Sequence, residues 1–295
     1  MTYRCVDQFQ KEAGGVAPIC ELLDVGRSGY YASRKRLREP QKACPVAARV
    51  EAAFAASGRS YGSRRIRAAL ANQGMAIGRY RVRTLMKRHG LRPVWRRKFV
   101  HTTDSRHDLP VAPNLLNRAF DPVGPNVAWA ADLTYVRTRS GWLYLAAVLD
   151  LYSRKIVGWA MSGSMPAELV CRALQMAIGQ RGVTPGLLVH SDRGSQYASE
   201  LHRSLLERYG LQASMSRKGN CWDNSVMERF FLSLKMERVW LQDYANQAEA
   251  EKDIADYIVG FYNNTRLHSK LGYQSPNAYE QARTEKELIV VSEKT

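Results

Sequence analysis

The sequence has few cysteines and no cysteine pair. The five, Cys5, Cys20, Cys44, Cys171 and Cys221, are odd in number and widely spread, with no Cys-x-x-Cys. That pattern indicates neither a disulfide framework nor a zinc site. Long apolar runs are also missing: the longest useful one, Trp142 to Leu149, stops at Asp150, far short of a membrane span. Met1 to Arg4 lacks the apolar core of a signal peptide. Together these absences point to a reducing cytoplasm and away from the membrane. The third absence is of one charge sign. Between Glu51 and Asp104 there is no acidic residue, against 13 Lys+Arg.

What is present in excess is therefore positive charge, and it is unevenly placed. The 295 residues carry a net charge of +17. Residues 1–120 hold 24 Lys+Arg against 8 Asp+Glu, and the other 175 hold 20 against 19. One end suits a polyanion and the other is nearly neutral. Nucleic acid is the natural partner, because neutralised phosphates release counterions and supply most of the affinity. A membrane surface would accept the same charge, but no amphipathic anchor is present. Hydrophobic content of 45% is ordinary for a globular chain, and this length predicts one or two domains.

Taken in order, residues 1–45 read as helical with breaks. Ser63 to Leu70 predicts a helix with Ile66, Ala69 and Leu70 inward and Arg64, Arg65 and Arg67 outward. Asn72-Gln73-Gly74 breaks it. Gly78 to His89 predicts a second, with Val82, Leu85 and Met86 inward and Arg79, Arg81, Arg83, Lys87 and Arg88 elsewhere on it. Gly90 then stands at the C′ position and Pro93 prevents continuation. Two short helices with a glycine turn and a basic second helix suggest a helix-turn-helix. A basic helical pair that touches phosphates without reading bases is the other reading. Residues 110–125 contain four of the 11 prolines, which marks an extended linker.

Beyond it the pattern changes to strands. Val127 to Arg137, Trp142 to Asp150 and Ile156 to Met161 predict a three-stranded meander. A helix from Pro166 to about Gln180 follows. Then come a strand at Leu187 to Ser191, a helix at Ser199 to Tyr209 and a strand at Gln212 to Met215. Val226, Phe230 and Leu234, at four-residue steps, give the apolar stripe of another helix. Glu228 lies on it. Lys235, two turns later, stands over nearly the same face roughly 10 Å along.

Three carboxylates stand out against this frame. Asp132 lies in a strand-like run, Asp192 closes the strand that begins at Leu187, and Glu228 follows Asp192 with 35 residues between them. Two acids at strands and one on a helix suit a pair of hard divalent cations, since Mg²⁺ takes oxygen ligands. Two such ions can stabilise both the attacking and the leaving oxygen of an in-line phosphoryl displacement. Each acid also has a plainer reading. Ser225-x-x-Glu228 matches a capping box, Asp192 precedes turn residues, and Asp132 could pair with a buried arginine. Folding the first hairpin about Ser140 pairs Asp132 near position 148, so Asp150 becomes a same-face diagonal neighbour. A local turn role suits Asp150 better than catalysis, and a structural role suits His190 better than a general base.

The three acids, their spacing and Lys235 resemble the D,D,E transposases related to retroviral integrases. The run His190-Ser191-Asp192-Arg193-Gly194-Ser195-Gln196-Tyr197 narrows the match. So do Asp223-Asn224, Tyr262-Asn263-Asn264 with Arg266 and His268, Leu271-Gly272-Tyr273 and Ser275-Pro276. These resemble the OrfB-type transposases of bacterial insertion sequences, from about Ser28 to Glu280. The resemblance implies an α/β, ribonuclease-H-like catalytic core behind an N-terminal all-helical, helix-turn-helix-like DNA-binding region. The expected division is a basic helical region at 1–109, a linker at 110–125, the core at 126–282 and a tail at 283–295.

The resemblance further implies Mg²⁺-dependent phosphoryl transfer on DNA. Asp132, Asp192 and Glu228 would act as catalytic residues and ligands of two Mg²⁺ ions, with Mn²⁺ as a substitute. Double-stranded DNA at the element ends and target is the expected partner. Arg64, Arg65, Arg79, Arg81, Arg83, Lys87, Arg88, Arg217, Lys218 and Lys235 are the expected DNA contacts. A homo-oligomer on paired ends is expected, as is an upstream-frame partner or fusion. Two alternatives remain open at this level: a ribonuclease-H-like nuclease without strand transfer, and a DNA-binding repressor with an inactive core.

Overall fold

The computed structural model describes residues 2–9, 14–38, 44–93 and 109–292. The chain divides into two compact units, Met1–Ala52 and Ala53–Thr295. The first contains α1 (Thr2–Phe9), α2 (Val16–Leu22), α3 (Arg27–Arg38) and most of α4 (Pro45–Ala56). Its small core is Val6, Ile19, Cys20 and Tyr30. The Tyr30 hydroxyl donates to Asp7 at 2.7 Å, which satisfies the polar end of a buried ring.

The second unit opens with α5 (Ser63–Asn72) and α6 (Arg79–Arg88), the helical pair expected from the sequence. Ile66, Leu70, Val82, Leu85 and Met86 are buried, so each helix turns its apolar stripe inward. Gly90 has φ 66, the left-handed conformation that closes a helix. Residues 110–125 have no regular structure but are not loose. Leu116 is buried in the core, and the backbone N–H groups of Leu115 and Leu116 donate to Ser214 at 3.0 and 3.1 Å.

The rest is a five-stranded sheet of order β3-β2-β1-β4-β5 with helices on both faces. β1 (Ala128–Thr138), β2 (Gly141–Asp150) and β3 (Ile156–Ser162) form the antiparallel meander. β4 (Leu188–Ser191) pairs parallel with β1, and β5 (Gln212–Met215) parallel with β4. Between them run α7 (Ala167–Arg181), the short α8 (Ser195–Ala198) and α9 (Glu200–Arg208). After β5 come α10 (Ser225–Glu237), α11 (Gln247–Asp256), a wide helical turn at Tyr257–Asn263, and α12 (Pro276–Ser292). This is the predicted β-β-β-α-β-α-β-α order of a ribonuclease-H-like core. α12 continues past Arg283, where the sequence suggests only a frayed tail.

The sheet is covered on both sides, which is why Leu143 to Leu149 reads as a nearly unbroken apolar run. One face packs Ala130, Leu145, Ala147 and Leu149 against Met227, Phe230 and Leu234 of α10 and Ile254 of α11. The other packs Trp129, Ala146, Val148 and Val157 against Leu169, Ala173 and Ala177 of α7 and Leu206 of α9. α7 crosses β3 at Gly158, where a β-carbon would lie 2.2 Å from the Ala173 carbonyl oxygen. No side chain larger than hydrogen fits there.

One expectation is corrected by the register. Asp132 faces Ala147, one residue short of the expected position, and Asp150 faces Trp129. Side chains alternate along a strand, so Asp150 projects to the face opposite Asp132. It accepts from the backbone N–H groups of Asn126 and Tyr152, both at 2.9 Å, and from Arg181 at 3.1 Å. Asp150 is a buried turn residue and not a diagonal neighbour of Asp132.

Candidate active site

The parallel pairing of β1 with β4 builds the site. Ala130 is level with His190, so Asp132 and Asp192 each stand two residues further along adjacent strand lines, on one face. That face is the one α10 covers. Adjacent strands lie about 4.8 Å apart, which brings the two carboxylates side by side. The Asp132 carboxyl is raised well above the usual range. Burial is the largest cause and Asp192 the next, with a smaller contribution from Glu228. The Leu133 N–H, which donates to Asp132 at 2.8 Å, and Lys235 act in the opposite direction. Three acids and one ammonium therefore share one electrostatic neighbourhood.

Each acid is held by its own element. Asp192 directly follows β4 and accepts from the Gly194 N–H at 2.9 Å, so the turn role read from the sequence is present alongside its place beside Asp132. Glu228 is half-buried on the first turns of α10. The capping-box reading of Glu228 does not hold. Ser225 is already helical (φ −58, ψ −22), the cap position belongs to Asn224, and no side chain caps it. Lys235 is half-buried, with its ammonium 5.0 Å from the centre of the Tyr135 ring. Burial lowers its pKa and Asp132 raises it.

His190 sits directly below, fully buried, with Nδ1 2.9 Å from the Ser214 hydroxyl and Nε2 3.2 Å from the Ser216 hydroxyl. Burial lowers its pKa to about 4, against the pull of Asp223. A neutral ring locked between β4 and β5 has a structural role.

Asp223 and Asn224, named in the sequence only as part of the resemblance, fix the approach to α10. The Asn224 side-chain N–H donates to the Ala131 carbonyl at 3.2 Å. Asp223 is fully buried and collects Arg217 through Nε and its backbone N–H, both at 3.0 Å, Arg118 at 2.7 Å and Asn114 at 2.9 Å. Burial works against the charged form, but the hydrogen bonds from Arg217 and Arg118 hold the Asp223 carboxyl well below the usual range. The only sequence signal was an Asp-Asn pair five and four residues ahead of Glu228.

The expected DNA contacts divide into two groups. Arg64, Arg79, Arg81, Arg83, Lys87, Arg88 and Lys218 are exposed. Arg217 is half occupied by Asp223, and Arg65 turns inward to within 3.5 Å of Glu237. Tyr80 on α6 and Trp222 ahead of α10 are also exposed, at 83% and 69%.

The donor set is wholly carboxylate oxygen. Among the described residues no group of three or more His, Cys, Asp or Glu side chains is arranged to hold a metal ion by itself. Mg²⁺ does not require one, because it keeps several waters and takes substrate phosphate as ligand. After burial, the charges of Asp192 and Glu228 raise the Asp132 carboxyl, and a hard divalent ion would relieve that repulsion through the oxygen donors present.

Comparisons with known proteins extend this picture over most of the chain. Two integrase core domain families match residues 122–221 and 209–276, and an HTH-like domain family matches residues 43–99. The chain is 44% identical over 270 residues to the insertion element IS600 uncharacterized 31 kDa protein of Shigella sonnei, covering 89% of this chain and 97% of that one. It is 40% identical over 286 residues to the transposase InsF for insertion sequence IS3A of Escherichia coli (strain K12), covering 95% and 98%. Among solved structures, the HTLV-2 integrase catalytic core domain in complex with magnesium (trimeric form) aligns with 16% identity and a TM-score of 0.44. It covers 54% of this chain and 98% of that one.

Proposed function

Because the chain belongs to the insertion-sequence transposases, with an integrase core and an HTH-like domain, we propose that it cuts DNA at the ends of its element and joins them to a target through Asp132, Asp192 and Glu228. Its activity is that of a DNA transposase, and DNA is its partner. The finer assignment is supported by one arrangement: the β1–β4 pairing sets Asp132 and Asp192 side by side, and the charges of Asp192 and Glu228 both raise the Asp132 carboxyl.

In this reading Asp132 and Asp192 would hold one divalent ion, and Glu228 with one of the aspartates would hold a second, with Mg²⁺ preferred and Mn²⁺ accepted. When bound, such ions supply charge stabilisation to the attacking and leaving oxygens of an in-line displacement. The protein supplies the position of those charges. β1 and β4 fix the two aspartates by backbone pairing, and Asn224 fixes the start of α10 against β1. In the first reaction water attacks a phosphodiester at the element end, and the broken P–O bond leaves a 3′-hydroxyl. In the second that hydroxyl forms a new P–O bond in the target as the target's own P–O bond breaks. Neither reaction passes through a protein–DNA covalent bond, so no Ser or Tyr nucleophile is required.

Binding falls to the exposed cations of α5 and α6, with Lys218 and Lys235 nearer the cut. A homo-oligomer pairs the two ends, and an upstream-frame partner or fusion adds end recognition. The test is incubation of the full chain with linear element-end DNA, a plasmid target and Mg²⁺ or Mn²⁺. Joined products are expected. Cleavage that never yields joined products favours a simple nuclease, and binding without cleavage favours a repressor.

A further inference from the structure

The segment from Tyr262 to Pro276 contributes no acid to the site, and its Arg266 is too deeply buried, at 3% exposure, to meet DNA. Arg266 instead grips the last turn of α10. Its Nε and Nη2 each donate to Glu237 at 2.7 Å, and Nη2 also donates to the Ser233 hydroxyl at 2.9 Å. Ser233 and Glu237 are four residues apart and so lie on one side of the helix. The Tyr257 hydroxyl donates to the same carboxylate at 2.7 Å. A planar guanidinium bound at two oxygens fixes orientation as well as distance.

The residues leading into α5 dock on this assembly. Tyr61 is buried, and its phenol oxygen accepts the Leu267 backbone N–H at 2.7 Å. Its ring lies 6.4 Å from that of Phe261. Arg65, one turn along, covers the Tyr61 ring at 5.5 Å and approaches Glu237 at 3.5 Å. Two guanidiniums thus face one carboxylate. Burial and then the Arg266 charge lower the Arg65 pKa, and Glu237 raises it. The ion pair alone is a weak tether, and the buried Tyr61 completes it. Meanwhile Arg64 and Arg67 on α5, and the arginines of α6, remain exposed.

We propose that Arg266, Glu237 and Ser233, with Tyr61 and Arg65 seated on them, form a positioning device that locks the α5–α6 pair to the helix carrying Glu228. It thereby sets the distance along DNA between the bound site and the bond that is cut. The inference rests on the reading of Asp132, Asp192 and Glu228 as the cutting site and of α5–α6 as a DNA-binding pair. Tyr61, Arg65 and Arg266 are positioning residues, since none lies at the acids.

The test uses the full chain and an element-end duplex labelled on one strand, with cut positions resolved to the nucleotide. Wild type, Tyr61→Phe, Arg65→Ala and Asp192→Asn are compared. Tyr61→Phe removes a single oxygen and keeps the buried ring, leaving only the Leu267 N–H without its acceptor, so it serves even where Arg266 variants do not accumulate. The expected result for Tyr61→Phe and Arg65→Ala is DNA affinity within about threefold of wild type, cuts spread over neighbouring bonds, and at least about tenfold less of the correct product, since small misplacements at a reacting centre are costly. Loss of fold without a change of cut position would not produce that spread. A single correct cut at the wild-type rate in both variants overturns the proposal. Failure of the underlying reading looks different: Asp192→Asn would still cut.

Discussion

Asn224 donates its side-chain N–H to the carbonyl of Ala131, the residue immediately before Asp132, so one hydrogen bond ties the start of α10 to the strand that carries the first acid. The amide oxygen of Asn224 is buried without a partner among the described residues. Asn224→Asp turns the donor into an acceptor facing a carbonyl. It is expected to lower stability by about 1–3 kcal/mol, the usual penalty for an unmet buried polar group. Cleavage should fall further than that loss explains, because Glu228 moves relative to Asp132. Thermal melts beside a cleavage assay check this, and a variant with wild-type values in both would contradict it.

Asp223 closes the loop before α10 onto Arg217 and Arg118. Both arginines are half exposed, at 50% and 44% of their side chains, so solvent screens these pairs. Asp223 itself is fully buried among N–H donors, so Asp223→Asn, which puts an amide N–H against them, should cost about 1–3 kcal/mol in stability. DNA affinity should hold or rise, because two guanidiniums are released, while cleavage declines as the loop loosens. Reduced affinity with normal cleavage would show that Asp223 does not act through that loop.

The two groups of cations separate by salt. Arg79 and Arg83 are exposed on α6, and replacing both with Ala should lower the slope of log affinity against log salt by about 2, near 0.9 per phosphate contact. Arg65→Ala should leave the slope unchanged, because that guanidinium faces Glu237. Anisotropy titrations across a salt series distinguish them. Equal slopes for both variants would return Arg65 to the DNA surface.

Acid should destabilise the fold through its buried histidines. His202 is 3% exposed, and its Nδ1 lies 3.1 Å from the Tyr197 carbonyl oxygen, so Nδ1 carries the proton. Burial lowers its pKa to about 4, with the Tyr197 carbonyl opposing. The unfolded chain, near 6.5, binds the proton first as pH falls. Stability is therefore full above about 6.5 and declines towards pH 4, by at most about 3 kcal/mol for one such group. His190, lowered to about 4, and His268, lowered to about 2, act in the same direction. His202→Gln should flatten the dependence of Tm on pH between 6.5 and 4. An unchanged slope would remove His202 from this account.

Much of the fold was legible because periodicity is local. β5 falls at Gln212–Met215 as read, and β1 and β2 fall within one residue of their predicted ends. The hairpin register was not, because it depends on loop length. Thr138 pairs with Gly141, which leaves a two-residue loop where three were expected, and that single residue moved Asp150 to the other face. The three acids were singled out by their spacing, and the β1–β4 register sets Asp132 beside Asp192. The arginines on α5 were not separable by pattern, since Arg64 and Arg65 differ only in what a segment two hundred residues later places beside them. Glu237, Tyr61 and Arg266 meet through pairings with no sequence period, which only the folded chain discloses.

The most direct measurement of the central claim is Glu228→Gln, assayed for melting and for cleavage and joining on one preparation. Glutamine keeps the volume and hydrogen-bonding reach of glutamate and removes the negative charge a hard cation requires. The expected result is a melting temperature close to wild type, with cleavage and joining both reduced by at least about a hundredfold for a damaged two-ion site. A stable variant that cleaves and joins at near-wild-type rates would contradict the account, leaving Asp132 and Asp192 without their third member.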